Sequence, residues 1–506
     1  MLPGVATADS SFPASAPGAL AGFALYLLAM VAIGIATSRA SSGGLTSFFL
    51  ANRSLGKIVV ALSAVASGRS SWLLLGFSGL AFVRGASVLW AAVGYVVVEA
   101  LMFWSLARRL RRFSGARQCL TVPDVLAERV GEGRGVLRAL LVLVVLSFTV
   151  PYLGAQFLAG GKTFHALFGM SQTGGIALTA FIVLAYTVMG GLLAVSITDV
   201  VQAWFMLLAL LFIPVAALLD LGGMGGVRDE LVRLDPALVD PFAISAGALI
   251  GFLGIGLGSP GQPHILVRYM SIKDERQLRS AAFVGTFWNV VMALGAAAIG
   301  LVARAQFGDV SALAAGDREN AYTALAAAHL PPFLLGLVCA SIFAAIMSTA
   351  DSQLLVAASA VVRDFYSKLV LGRAGSDGAP RIIDDRRMVR ISRVVIVVLC
   401  GLALSIASFG GGIVFWLVLF AWAGMGAALG PAVVLSCYWR RTTRAGLIAG
   451  IVAGTATVIT WSLVPAWKAA VYELIPAWIV GATAIVAVSL ITQPPADVDE
   501  RFADFD

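Results

Sequence analysis

Apolar residues run along this chain in long blocks. Ala19–Thr37, Val136–Ala159, Val200–Leu219 and Phe283–Val302 each carry at most one charge. A helix needs about 20 such residues to cross the hydrocarbon core of a bilayer, so the pattern predicts thirteen spans. These are 19–37, 57–83, 87–107, 136–160, 174–191, 199–221, 241–267, 282–304, 332–359, 391–408, 412–437, 445–464 and 473–492. Most are unbroken. The second is interrupted by Ala66-Ser-Gly-Arg-Ser-Ser71, and the seventh by Gly254, Gly256, Gly258, Pro260, Gly261 and Pro263. Gly and Pro weaken helical hydrogen bonding, and freed backbone groups survive at membrane depth only against protein or a polar cavity.

The position of the breaks sets the expected architecture. Each opens a block of five spans, 2–6 (residues 57–221) and 7–11 (residues 222–437). An odd number of spans inverts the second block relative to the first, as in transporters that bind ligand between broken helices at the midplane. Residues 1–56 and 438–506 then supply helix 1 and helices 12–13 outside a ten-helix core. The fold class is all-α and polytopic.

Composition agrees: 59% of the residues are hydrophobic and 12% charged, with mean hydropathy +0.93. A soluble domain carries about twice that charged share. The first 18 residues lack the basic start of a cleavable signal. Charge then gives orientation. Of the 35 Lys and Arg residues, Arg84, Lys162, Arg228, Arg233, Arg304, Arg318 and Lys468 fall on one side and Arg69 inside a span; the rest lie at the other side. By the positive-inside rule that richer side is cytoplasmic, with the N-terminus outside, the C-terminus inside and the chain in a bacterial-type inner membrane. The net charge of +8 is thereby explained by loops beside anionic lipid, with no call for nucleic acid. The longest loop, 360–390, contains GRAGSDG and is expected to be flexible.

Cys119, Cys339, Cys400 and Cys437, like His165, His264 and His329, are too dispersed for metal-ligand or nucleophile–base spacing, which argues against an enzyme. The ninth span is more informative. Ser341, Ala345, Ser348, Thr349 and Ser352 recur on one helical face, and paired hydroxyls with carbonyls freed by a broken helix suit a hard cation. The stripe equally fits helix–helix hydrogen bonding. Asp351 favours function, because a carboxylate inside a span is costly. Asp199, at the predicted start of span six, reads either as a coupling group for sodium or protons, or as a helix cap. Arg69 needs a partner, and the candidates are a substrate carboxylate, Asp351 or Asp199.

These stretches resemble the sodium/solute symporter family. The likeness rests on LTVPD (Leu120–Asp124), YTVMGGLLAVSITD (Tyr186–Asp199), GQPH (Gly261–His264), MSTADSQLL (Met347–Leu355), WAGMG (Trp422–Gly426) and YELIP (Tyr472–Pro476). It implies a leucine-transporter-like fold and sodium-coupled import of a small organic solute, with proline or a related amino acid first and a carboxylate as the alternative. The resemblance assigns a sodium site to the carbonyls of Ala66, Arg69 and Ala345 and the hydroxyls of Ser348 and Thr349. It assigns a second sodium or coupling site to Asp199, Ser348, Asp351 and Ser352. Substrate would lie near Gly68, Ser71, Tyr152, Ile255 and Ser259. Three positions depart from the proline-transporting members: Gly68 replaces an aspartate, Arg69 an uncharged residue, and the seventh span lacks their pocket aromatics.

Overall fold

With no water in hydrocarbon, a crossing chain must bond its own backbone, and the α-helix does this locally. The computed structural model describes residues 17–38, 43–133, 135–371, 385–409 and 414–505, and among them the structure is helical apart from one parallel bridge, Leu55 to Ile272. Ten of the described helices are long and apolar enough to cross a membrane. One of these, Lys57–Ala116, runs 60 residues and covers the second and third predicted spans. It turns at Gly85 (φ 65°), where a Cβ would run into the backbone of Leu238. Gln172–Val188 and Ala246–Gly261 are shorter apolar helices.

Two boundaries differ from the sequence reading. The polar-striped helix, Pro332–Ser359, does not end in a loop at 360; it continues with π-type bonding through Ala360–Leu371. Its extension has an apolar side (Ala360, Val362 and Leu369 are buried) that packs where a loop could not. The remainder of the predicted flexible loop, 372–384, lies outside the described residues. Asp199, expected at a helix start, stands well inside the helical run Gly190–Asp220. The chain departs from helical geometry earlier, at Gly191 (φ 56°), so Asp199 does not cap.

Polarity is inverted relative to a soluble protein. Phe283, Phe287, Val290 and Leu294 are exposed along one face of Leu278–Phe307, and Val394, Val397, Val398 and Leu402 along Asp385–Phe409. Ser63, Ser67, Arg69, Asp199, Arg268 and Asp351 are buried. Exposed apolar stripes of this extent fit lipid.

Loop contacts segregate to two ends. At one, Arg53 donates to the carbonyls of Ser114, Cys119 and Met270 at 2.6–2.8 Å. Arg111 reaches Ile272 O, Arg129 reaches Arg440 O, and Arg117 pairs with Glu500. At the other, Lys162 pairs with Asp317 and Glu319 at 2.8 and 2.7 Å. There Trp90 donates to Pro241 O and His329 meets Asp220.

Candidate functional site

The first break falls at Ser70, whose φ 48° and ψ −175° take Lys57–Ser71 out of helical geometry. A non-glycine residue at positive φ is costly and persists only where neighbours impose it. Here the freed backbone groups find partners. Ser70 Oγ accepts from Trp72 N–H at 3.1 Å, and Gln156 Oε1 accepts from Ser71 N–H and Oγ at 3.2 and 2.9 Å. Upstream, Ser348 Oγ donates toward the carbonyls of Ala66 and Ala345, each at 3.2 Å, and Thr349 Oγ1 donates to Ser67 O at 2.9 Å. Ala66, Ala345, Ser348 and Thr349 thus converge, with Ser67 added. The carbonyl of Arg69, grouped with them from sequence, accepts from Trp72 N–H.

The Arg69 side chain turns elsewhere. Its partner is Glu99, and neither Asp351 nor Asp199 takes that place. The guanidinium also lies 4.1 Å over the Tyr95 ring. Glu99 is held on its other oxygen by Asn289 Nδ2 at 2.8 Å, and Ser259 Oγ donates to it at 3.2 Å. Sequence reasoning missed Glu99, although it sits within the third predicted span and carries the same signal as Asp351.

A second charged group lies beneath the break. Asp199 Oδ2 accepts from Ser63 Oγ at 2.6 Å, Ser67 Oγ at 3.3 Å and Arg268 Nη2 at 3.2 Å. Arg268 also donates to Ser352 Oγ, which donates to Ser348 O at 2.6 Å and lies 3.0 Å from Asp351 Oδ1. The other Asp351 oxygen accepts from the Tyr186 hydroxyl. Asp199, Asp351 and Ser352 therefore form one network, but around a fully buried guanidinium. From sequence Arg268 fell one residue beyond a span, in a cytoplasmic loop; the structure buries it because α-helix resumes over Pro263–Met270 after the second break.

That break is a 3₁₀ segment, Ile255–Gly261, between the helices Ala246–Gly254 and Pro263–Met270. Trp422 Nε1 donates to Ile255 O at 3.0 Å and Gln262 Nε2 to Gly258 O at 3.3 Å. Trp422 packs so closely on Gly258 that a Cβ would overlap its indole. Gly68, Tyr152 and Ile255 line one small cavity with Arg69, Trp72, Tyr95, Val418, Leu419 and Trp422. Ser71 and Ser259 do not line it; their hydroxyls bond Gln156 and Glu99. The aromatics missing from the seventh span come from the second, third, fourth and eleventh.

Known proteins resemble this chain in sequence and fold. The model of the sodium:solute symporter family matches residues 48–454. The osmoregulated proline transporter OpuE of Bacillus subtilis is 35% identical over 480 residues, covering 94% of this chain and 95% of its own length. A sodium/proline symporter of Staphylococcus aureus is 35% identical over 483 residues, covering 93% and 92%. Among solved structures, a Na+-coupled sialic acid symporter in a substrate-bound, outward-open state superposes with a TM-score of 0.80 at 17% identity, over 95% of this chain and 99% of its own. MhsT in complex with L-phenylalanine superposes with a TM-score of 0.57 at 12% identity, over 86% and 98%. The structural likenesses establish a leucine-transporter-like fold; the broad sequence match establishes that the chain belongs to the sodium:solute symporter family.

Proposed function

We propose that this protein is a sodium-coupled symporter that imports proline or a related amino acid by alternating access. The observation that carries the coupling is the meeting of Ser348 and Thr349 with the carbonyls of Ala66 and Ser67 at the first break. Two hydroxyls and several carbonyl oxygens are what a hard monovalent cation needs. Sodium would take Ala66 O, Ala345 O, Ser348 Oγ and Thr349 Oγ1, with the Arg69 carbonyl nearby. Asp199, Asp351 and Ser352, in their network with Arg268, would form a second sodium or coupling site. Proline as substrate is supported by the relatives named for it.

The inverted five-plus-five arrangement and thirteen crossings belong to the same reading. They are supported by the two breaks, by the turn at Gly85 and by the two-ended grouping of loops. That grouping matches the sides drawn from Lys and Arg, so the basic end is read as cytoplasmic and the membrane as a bacterial-type inner membrane.

Uptake of radiolabelled proline by the reconstituted protein tests this function. Ser348→Ala and Thr349→Ala should each raise the sodium concentration for half-maximal uptake several-fold, consistent with membrane polar contacts of about 0.6–1.7 kcal/mol. The double variant should lose sodium stimulation. If its sodium dependence is unchanged, the two hydroxyls only cap a broken helix.

A further inference from the structure

The central cavity is lined by Arg69, whose ion-pair partner Glu99 is not itself part of the lining. Arg69 and Glu99 are 1% and 3% exposed and face each other between the first broken helix and the helix after it. The surroundings treat them unequally. Asn289 and Ser259 hold Glu99 independently of Arg69. Arg69 has Glu99 and the Tyr95 face, while its Nε has no hydrogen-bond partner. The indole Nε1 of Trp72, another wall of the same cavity, is likewise buried without a partner. Two buried donors around one cavity call for an acceptor, and the arginine is the charge free to turn.

We propose that Arg69 and Glu99 form a two-point receptor for a zwitterion: the solute's carboxylate takes Arg69, and its cationic nitrogen takes Glu99. This rests on the symport reading above and names the chemistry of its substrate. Electroneutrality carries the argument. A plain carboxylate drawing Arg69 away would strand Glu99 as an unpaired buried charge, and an amine would strand Arg69; either is severely unfavourable away from water. A zwitterion replaces one internal pair by two external ones and leaves no charge alone.

Size excludes a solute sitting beside the intact pair. The cavity measures about 20 Å³, room for roughly one water, so entry must move its walls. Trp72, Tyr95, Tyr152 and Trp422 present ring surface there, which favours an organic cation as well as apolar carbon. Above it opens a second cavity of about 510 Å³ that shares Ile255 and Leu419 with the first. Arg84, Arg318 and Lys468 line this outer cavity against Glu473 alone, so a carboxylate is attracted inward.

Charge movement on a solid-supported membrane reads solutes without a label, and competition against the responding zwitterion reads those, such as a carboxylate moving with one sodium, whose symport carries no net charge. The full-length protein in proteoliposomes would be offered, with and without sodium, the common amino acids, N-methylated betaines, mono- and dicarboxylates, amines and sugars. At least one zwitterion should give a sodium-dependent current. Its analogues lacking either charge, such as cyclopentanecarboxylate or pyrrolidine for proline, should give neither current nor competition. Glu99→Gln should weaken the zwitterion about 100-fold, the range for truncating one side of a buried charge pair, and reduce discrimination against the nitrogen-free carboxylate to a few-fold. Arg69→Gln should do the mirror image. Because single variants leave a lone buried charge, Arg69→Gln/Glu99→Gln serves as the folding control; it should melt near wild type yet still fail to recognise the zwitterion.

A sodium-dependent current from a sugar or plain carboxylate that exceeds every zwitterion overturns the receptor and leaves symport standing. Unchanged zwitterion affinity in folded Glu99→Gln does the same. A current that needs both solute charges but not sodium overturns sodium coupling, because a neutral zwitterion must then move with another ion, and leaves the receptor.

Discussion

At the basic end, Asp124 accepts from Arg138 and, at 3.1 Å, from Arg363, while Arg138 also reaches Asp364 at 2.7 Å. Burial opposes the charge on Asp124, but Arg363 and Arg138 outweigh it and hold the carboxyl below its usual range. A depressed carboxyl contributes stability that is full above about pH 4, its unfolded value, and is lost only as pH falls through the lower folded value. Asp124→Asn should therefore cost about 3–5 kcal/mol at pH 8, as for breaking a buried pair, and still be destabilising at pH 5. Melting curves in detergent at the two pH values check this; a deficit that vanishes by pH 5 contradicts it. The two break glycines should also separate. A Cβ on Gly68 meets the flexible end of Ile265 at 3.2 Å and Glu99 Oε1 at 3.9 Å, whereas on Gly258 it overlaps the Trp422 indole. The structure predicts a smaller loss of uptake for Gly68→Ala than for Gly258→Ala, with surface expression measured beside uptake.

Among elements, the broken helices were legible because their cause is local. Pro removes a helical bond and Gly loosens the helix wherever they stand, although the exact first break, at Ser70, is set by its neighbours; Ser348 and Thr349 share a face by helical period alone. The capping reading of Asp199 failed because hydropathy places a helix start to within a few residues at best, and here the start lies at Gly190. Accessibility was equally hidden. Ser71 and Ser259 are fully buried, while Ala469 lines the outer cavity. A cysteine at Ala469 should be alkylated by an impermeant reagent from the outer side without solute. Cysteines at Ser71 or Ser259 should react only under turnover, when the cavity opens. Prompt labelling of Ser71→Cys in the resting protein would show that the central cavity is open at rest.

Over the whole molecule, the basic end is fastened by a terminal helix, Val498–Ala503, and the residues after it. Phe505 is 1% exposed and stacks on Phe113 at 4.3 Å, whereas the Glu500 side chain is 72% exposed in its pair with Arg117. Burial should dominate here. Phe505→Ala should destabilise by about 3 kcal/mol, and Glu500→Gln should shift the melting temperature within error, since exposed pairs are worth little. Equal effects would mean that the terminal helix is held by charge.

The sequence by itself determined that this chain crosses a bilayer, where its helices break and which face of the ninth span is polar. Each follows from the length of an apolar block, a Gly or Pro, or a helical period, and needs no knowledge of neighbours. Only the tertiary structure decided which charges meet. Arg69 finds Glu99 on the next helix, and Arg268 finds Asp199 across 69 positions of chain. Those pairings depend on how each helix is rotated about its axis and on how far α-helix resumes after a break, quantities that packing sets and hydropathy does not record. A carboxylate in the third span was visible from the start; its role was not, because a buried charge takes its meaning from the charge placed opposite it.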